Sequence, residues 1–401
     1  MNYSKLKELD DLFAKEISLN RIKDASIHVE HKGKVVFENF YGNAKPRSIF
    51  KIYSMTKPIT SVAAMILLER GVIDLEEAVS RYIPEICARN QTVIVKENEK
   101  EYGKENLKKS SRGNLLRPCG KDVKIRDLLN MTSGMMYPNP CEPFNEVNDV
   151  QSDMERRIAG GEKFDNTKVA VELALAPLAF EPGEDWLYGT SADILGIVIE
   201  KASGMNFGEF LRKEIFQPLK MQDTWFHIPA EKMSRWMKPY SRKEDGHLED
   251  VSPEMLAWLG QTDPTQEVIF QSGGGYLYST LEDYTNFAHM LINGGKFEDK
   301  QIISPKTIEY FGISQLNEKQ MKSYWLADQG YGYANLMRVM LHPEMSGLGS
   351  VGEFGWDGLA GTYFLIDPKE ELMVVYMQQI KEGGDPVLRR KYRNIIYSSI
   401  S

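Results

Sequence analysis

Ser54-Met55-Thr56-Lys57-Pro58-Ile59-Thr60 opens the most informative stretch of the chain. From Thr56 to Arg70 the apolar residues Ile59, Val62, Ala63, Ile66 and Leu67 recur at three- and four-residue spacing, so they share one helical stripe. Gly71 then stands where a helix is expected to have just ended. This pattern predicts a buried helix with a serine at its start. On a helix, side chains three residues apart lie on one face, which puts Ser54 and Lys57 within reach of each other. Amide dipoles at a helix start favour a developing alkoxide on Ser54, and a Lys57 withdrawn from water would be neutral enough to take its proton. The competing reading is that Ser54 only caps the helix while Lys57 faces solvent.

Spacing alone does not decide between these readings, because the S-x-x-K pattern occurs three times, at Ser4/Lys7, Ser48/Lys51 and Ser54/Lys57. Ser4 lies in a polar terminal segment. Ser48 lies in an apparent strand, where residues three apart point to opposite faces. Only Ser54 opens a buried helix.

Outward from this helix the texture changes twice. Ala25–Glu30 and Lys34–Tyr41, separated by His31-Lys32-Gly33, read as a β-hairpin. Helical patterns run from Ile125 to about Phe216, including Ser191–Lys201 before Gly204 and Asn206–Phe216 before Pro218. Thr280-Leu281-Glu282-Asp283 resembles a capping box and leads a helix to Gly294-Gly295. Strands return as the runs Tyr331–Val339, Gly361–Ile366 and Glu371–Gln378, with Asp367-Pro368-Lys369 as the turn between the last two. The fold class expected is α+β: a mostly antiparallel central sheet built from both chain ends, flanked by helices, with an inserted, mainly helical domain. The boundaries drawn are 1–60 with 255–401 for the sheet domain and 61–254 for the helical one. A polar, Lys-rich surface insertion is expected at about 90–124.

Composition narrows the function. The chain has 401 residues, 49 Lys+Arg against 57 Asp+Glu and a net charge of −8, which disfavours nucleic-acid binding driven by bulk positive charge. No segment approaches the ~18 uninterrupted apolar residues of a membrane span. Met1–Asn20 reads as an amphipathic helix and lacks the apolar centre of a secretory leader. Cys87, Cys119 and Cys141 fit neither an even disulfide framework nor a paired zinc pattern, so reduced thiols in a cytoplasmic protein are expected. The six histidines, His28, His31, His227, His247, His289 and His342, are too scattered to propose a metal site. There is no G-x-S-x-G, H-E-x-x-H or P-loop motif, no internal repeat and no low-complexity tract.

Several segments fall into one order: Ser54–Thr60, then Leu68-Glu69-Arg70-Gly71-Val72-Ile73-Asp74-Leu75, Tyr82-Ile83-Pro84-Glu85 and Ile125-Arg126-Asp127-Leu128-Leu129-Asn130-Met131-Thr132-Ser133-Gly134. Glu181-Pro182-Gly183, Tyr188-Gly189-Thr190-Ser191, Gly273-Gly274-Gly275 and Gly355-Trp356-Asp357-Gly358-Leu359-Ala360-Gly361 follow. Together they resemble the serine β-lactamase and penicillin-binding-protein superfamily, and within it the class C-like branch, over roughly Ala25 to Gln378. The resemblance implies Ser54 as acylated nucleophile, Lys57 as proton-relay partner and Tyr188 as a second general base that later protonates the leaving group. A cationic Lys57 beside Tyr188 would favour the phenolate. The third motif is expected on the inner edge strand, so that the backbone N–H groups of Ser54 and Leu359 make an oxyanion hole.

Two departures from the β-lactamase pattern bear on substrate. Tyr188-Gly189-Thr190 replaces the usual Tyr-x-Asn, and Trp356-Asp357-Gly358 replaces Lys-Thr-Gly. The lost lysine would contact a substrate carboxylate, whereas Trp356 offers an apolar face and an inward Asp357 would repel an anion. Thr190, Trp356, Asp357 and Gly358 are the expected substrate-binding positions, with Trp356 alternatively a structural strand aromatic. The Trp-x-Gly motif resembles that of class C-like carboxylesterases. This implies a serine hydrolase working through an acyl-enzyme on small neutral esters or lactones, with no metal or organic cofactor and a small-molecule substrate as its partner. Two alternatives stay open: an amide-cleaving D-amino-acid peptidase or weak β-lactamase, and a catalytically weak penicillin-binding or sensor module.

Overall fold

The two ends of the chain build one sheet. The computed structural model describes residues 2–95, 107–139, 141–142, 145–256, 258–259, 261–381 and 383–400. Its main strands are β1 (Ala25–His31), β2 (Lys34–Tyr41), β3 (Tyr331–Ala334), β4 (Met337–Met340), β5 (Phe354–Asp357), β6 (Tyr363–Asp367) and β7 (Leu372–Gln378). They lie in the order β3-β4-β5-β6-β7-β1-β2, and every neighbouring pair is antiparallel. The C-terminal strands therefore form a meander, and the N-terminal hairpin adds to it along β7.

Both faces of this sheet are covered, so its central strands are apolar on both sides rather than alternating apolar and polar. Leu372, Val374 and Tyr376 of β7 face one core with Phe13 of helix α1 (Glu8–Ser18) and Tyr392 and Ile396 of the C-terminal helix (Pro386–Ile400). Met373, Val375 and Met377, one residue out of phase, join the other core with Phe287 and Met290 of the helix Leu281–Ile292. That second core continues into α2 (Thr56–Glu69), in which every residue from Thr56 to Leu67 is buried. A helix apolar all round is one enclosed on all sides. Helix α3 (Ser191–Ser203) packs against α2, ends at the left-handed Gly204 and is itself buried from Ser191 to Ile199.

The structure departs from the sequence reading in three places. The run Tyr331–Val339 is not one strand: Asn335 and Leu336 both take positive φ, +52° and +62°, and fold the segment into the β3–β4 hairpin. The third motif lies on β5, the third strand of the sheet rather than its edge, because β3 and β4 extend the sheet beyond it. Its pairing with β4 covers only Phe354 and Gly355, so the strand is free of that neighbour from Trp356 onward. Within the stretch 90–124, Thr92–Ile94, Lys108–Lys109 and Leu115–Pro118 form a small antiparallel sheet, and Val93 is buried in the main core. Residues 96–106 of the expected insertion lie outside the described residues. Among the described residues no helix is long and apolar enough to cross a membrane.

Candidate active site

Ser54 is delivered by a sharp turn. The short strand Ile49–Lys51 pairs with Tyr278–Thr280, and the chain then passes through Tyr53, whose φ is +44°, into a single 3-10 turn that runs directly into α2. A non-glycine residue held in this left-handed region costs about 1–3 kcal/mol and persists where the surroundings over-determine it. Here the constraint falls on the residue before the nucleophile candidate.

Ser54 does not cap the helix through its side chain. Its Oγ lies 3.2 Å from Lys57 Nζ and accepts a hydrogen bond from Tyr188 Oη at 2.8 Å. Lys57 is fully buried, so the solvent-facing alternative does not hold. Its amine donates to the Gly274 carbonyl at 2.7 Å and to Tyr137 Oη at 3.1 Å. Burial pushes the Lys57 amine down to about 7, opposed by the charge of the buried Asp193. The amine is therefore poised between its charged and neutral forms near neutral pH, and the neutral form has a lone pair to turn towards Ser54.

Tyr188 behaves otherwise than expected. Burial raises its phenol well above the ordinary value, opposed by its hydrogen bonds with Ser54 and Trp356. The expectation that Lys57 would favour the phenolate fails because the same desolvation drives Lys57 towards neutrality. In the resting site Tyr188 is a donor, and Trp356 Nε1 donates to its oxygen at 3.3 Å.

Two residues that the sequence did not single out complete the site. Tyr137 accepts from Lys57, and its phenol is raised chiefly by burial, with the nearby Asp193 carboxylate adding to the shift. Asp193, on α3, accepts from Ser272 Oγ and from the Gly274 N–H, and burial raises its carboxyl. Gly274 thus ties the two halves together: its N–H goes to Asp193 and its carbonyl to Lys57. A Cβ at Gly274 would sit 2.6 Å from Tyr137 Oη and 2.9 Å from Asp193, so a side chain there would displace both groups. Tyr137 follows Gly134 with no local pattern to mark it. Asp193 had a readable signal, an acid directly before the apolar run Ile194–Ile199 and five residues after Tyr188.

The substrate-binding expectations fare unevenly. Trp356 is only 3% exposed; its ring packs against Tyr188 at 5.7 Å and edge-on against Tyr333 at 5.2 Å. Asp357 does not point into the site. Alternate strand side chains take opposite faces, and Asp357 pairs with Arg338 and, at 2.9 Å, with Arg389 of the C-terminal helix. Thr190, expected to bind substrate, is fully buried at the start of α3. Gly358 serves packing: a Cβ there would lie 2.4 Å from the Ile52 carbonyl, so the absence of a side chain lets β5 approach the turn carrying Ser54. Leu359 follows and is 59% exposed. Of the other S-x-x-K pairs, Ser48 Oγ accepts from the Lys45 N–H, and Ser4 Oγ donates to Asn2.

The Beta-lactamase family model matches residues 9–397. This chain belongs to the Beta-lactamase family. Monacolin J acid methylbutanoyltransferase from Aspergillus terreus (strain NIH 2624 / FGSC A1156) is 26% identical over 372 residues, covering 87% of this chain and 81% of the relative. Esterase EstB from Burkholderia gladioli is 25% identical over 413 residues, covering 97% and 94%. Among solved structures, EstCE1, described as a hydrolase with promiscuous acyltransferase activity, superposes with a TM-score of 0.78 at 21% identity, over 98% of this chain and 99% of that one. Family membership thus places this Beta-lactamase-family chain among esterase and acyltransferase relatives.

Proposed function

We propose that the protein is a serine hydrolase that passes through an acyl-enzyme and acts on small neutral carboxylic esters or lactones. The observation that carries this reading is the convergence on Ser54 Oγ of Lys57 Nζ at 3.2 Å and Tyr188 Oη at 2.8 Å. Ser54 Oγ attacks the ester carbonyl carbon and its proton passes to neutral Lys57. The oxyanion takes the N–H groups of Ser54 and Leu359. As the C–O bond to the alcohol breaks, Tyr188 gives its phenolic proton to the leaving oxygen and recovers one from the Lys57 ammonium. Water, or a second alcohol, then attacks the acyl-enzyme; its proton returns through the same pair, and Ser54 is released. Tyr137 and Asp193 hold Lys57 in place, and Trp356 orients Tyr188.

Neutral substrates are favoured because Trp356 stands where the β-lactamase pattern has a lysine, and the neighbouring cations Arg338 and Arg389 are already paired with Asp357. The three cysteines are free thiols, in keeping with the cytoplasmic location we propose. The test is a burst-phase assay with 4-nitrophenyl acetate and butyrate, run beside nitrocefin, with intact-mass detection of the adduct. Ester turnover with an adduct absent from Ser54→Ala is the expected result. Rapid, saturable nitrocefin turnover would move the assignment to amide substrates. An adduct that forms and never clears would make the protein a penicillin-binding or sensor module.

A further inference from the structure

The aromatic wall behind Ser54 is almost entirely buried: Trp186 and Trp356 are 3% exposed and Tyr324 2%. Trp325 is the exception, at 51% exposed. It sits in the turn between the helix Glu318–Met321 and the 3-10 turn Ala327–Gln329 that leads into β3. Its ring meets Tyr188 edge-on at 5.0 Å and Trp186 edge-on at 4.8 Å. These perpendicular contacts fix the orientation of the indole while half of the residue remains open to solvent. Edge-to-face packing of this kind holds a ring without covering it, and a fixed aromatic face binds a flat group at low cost in ordering. Tyr188 is the same residue whose hydroxyl touches Ser54 Oγ at 2.8 Å, so the exposed indole adjoins the nucleophile through a single ring.

We propose that Trp325, rather than the buried Trp356, is the specificity-determining aromatic of the site, and that it receives a flat aromatic group on the alcohol side of the ester. This rests on the reading of Ser54 as nucleophile and Tyr188 as the acid that protonates the leaving oxygen. A leaving group protonated by Tyr188 passes over that residue, and the exposed ring adjoining Tyr188 is that of Trp325. The acyl group lies on the far side of the carbonyl carbon, away from this wall. The preferred substrates are therefore aryl esters, or esters of flat polycyclic alcohols, with the acyl chain left to other walls of the cleft.

The experiment uses acetate esters, which share one acetyl-enzyme and differ only in the alcohol. In Trp325→Ala, kcat/KM for 2-naphthyl acetate is expected to fall roughly tenfold, the ratio that one aromatic contact with its buried area supplies. For ethyl acetate it stays within about twofold, and kcat limited by the common deacylation step is unchanged. Trp325→Phe, which keeps an aromatic face, restores most of the loss. An equal loss for both alcohols would make Trp325 a structural residue and overturn the proposal, as would no loss for either. A loss that follows the acyl group, seen with ethyl benzoate and spared with ethyl acetate, would overturn the alcohol-side assignment. Ser54→Ala run on the same esters tests the underlying reading separately: residual wild-type turnover there removes the nucleophile, whatever Trp325 does.

Discussion

Ser48/Lys51 and Ser54/Lys57 are the same motif repeated six residues apart, and the fold uses them differently. Both lysines are buried, and burial pushes both amines down to about 7. Lys57 has a serine hydroxyl, a phenol and a carbonyl within hydrogen-bond reach. Lys51 instead lies over the rings of Tyr276, Tyr53 and Tyr278 at 4.8, 5.3 and 5.6 Å, with one long contact, 3.5 Å, to the Met255 carbonyl. Ser48 is engaged with the Lys45 backbone. A depressed amine pKa measures desolvation and does not by itself identify a base; what distinguishes Lys57 is the hydroxyl placed beside it. The local backbone makes that difference, since the strand Ile49–Lys51 sends residues three apart to opposite faces and the 3-10 turn entering α2 brings them together.

The sharpest way to break the comparison is to remove each serine. Ser54→Ala is expected to lower ester kcat by roughly a millionfold, the scale seen when a nucleophile is deleted from a cooperative site, while Ser48→Ala stays within about twofold. Steady-state turnover of 4-nitrophenyl acetate reads both, and a comparable loss in Ser48→Ala would dissolve the distinction. Removing the amines comes next. Lys57→Met should cost about 100- to 10,000-fold, the range of general-base catalysis, against about threefold or less for Lys51→Met.

Acidity sharpens the contrast further. Lys57 must be neutral to accept the serine proton, so kcat/KM should fall about tenfold per pH unit below about 7 and level off above it. Lys51→Met should leave that midpoint in place; a midpoint that moved with Lys51 would assign the titration to the wrong lysine.

The smallest effect is on stability. Lys51 titrates near 10.5 when unfolded and near 7 when folded, so between these values the unfolded chain binds more protons and folding stability rises with pH. Below about 7 the full penalty of the buried charge is present. Lys51→Met removes it and places a flexible apolar chain among three rings. Its melting temperature should exceed that of the wild type most at pH 6, with the gap narrowing towards pH 9. A variant less stable at pH 6 than at pH 9, relative to wild type, would show that the cation–ring contacts outweigh desolvation.

Much of this was legible before the structure. The stripe from Ile59 to Leu67 marked α2, the β1–β2 hairpin followed from its β-branched runs and Gly33, and the order of the motifs marked the family. Chain-local physics sets all of these: periodicity, turn chemistry and the choice of Ser and Lys three apart at a helix start. Other features were not legible because they depend on side chains meeting across long separations. Tyr137 meets Lys57 directly across 80 residues of chain, and Asp193 is linked to it through the backbone of Gly274. The orientation of Asp357 follows from the alternation of β5 and from Arg389 arriving on the C-terminal helix.

By itself, the sequence determined α2, the β1–β2 hairpin and the pairing of Ser54 with Lys57, since each depends on neighbours within one or two turns of chain. Tertiary structure alone decided the protonation balance and the open surface. Enclosure by the core lowers Lys57 and raises Tyr188 together. Packing of Tyr333 from β3 and of Tyr188 hides Trp356, while Trp325 stays half exposed, and burial is a property of the assembled core rather than of any segment of it.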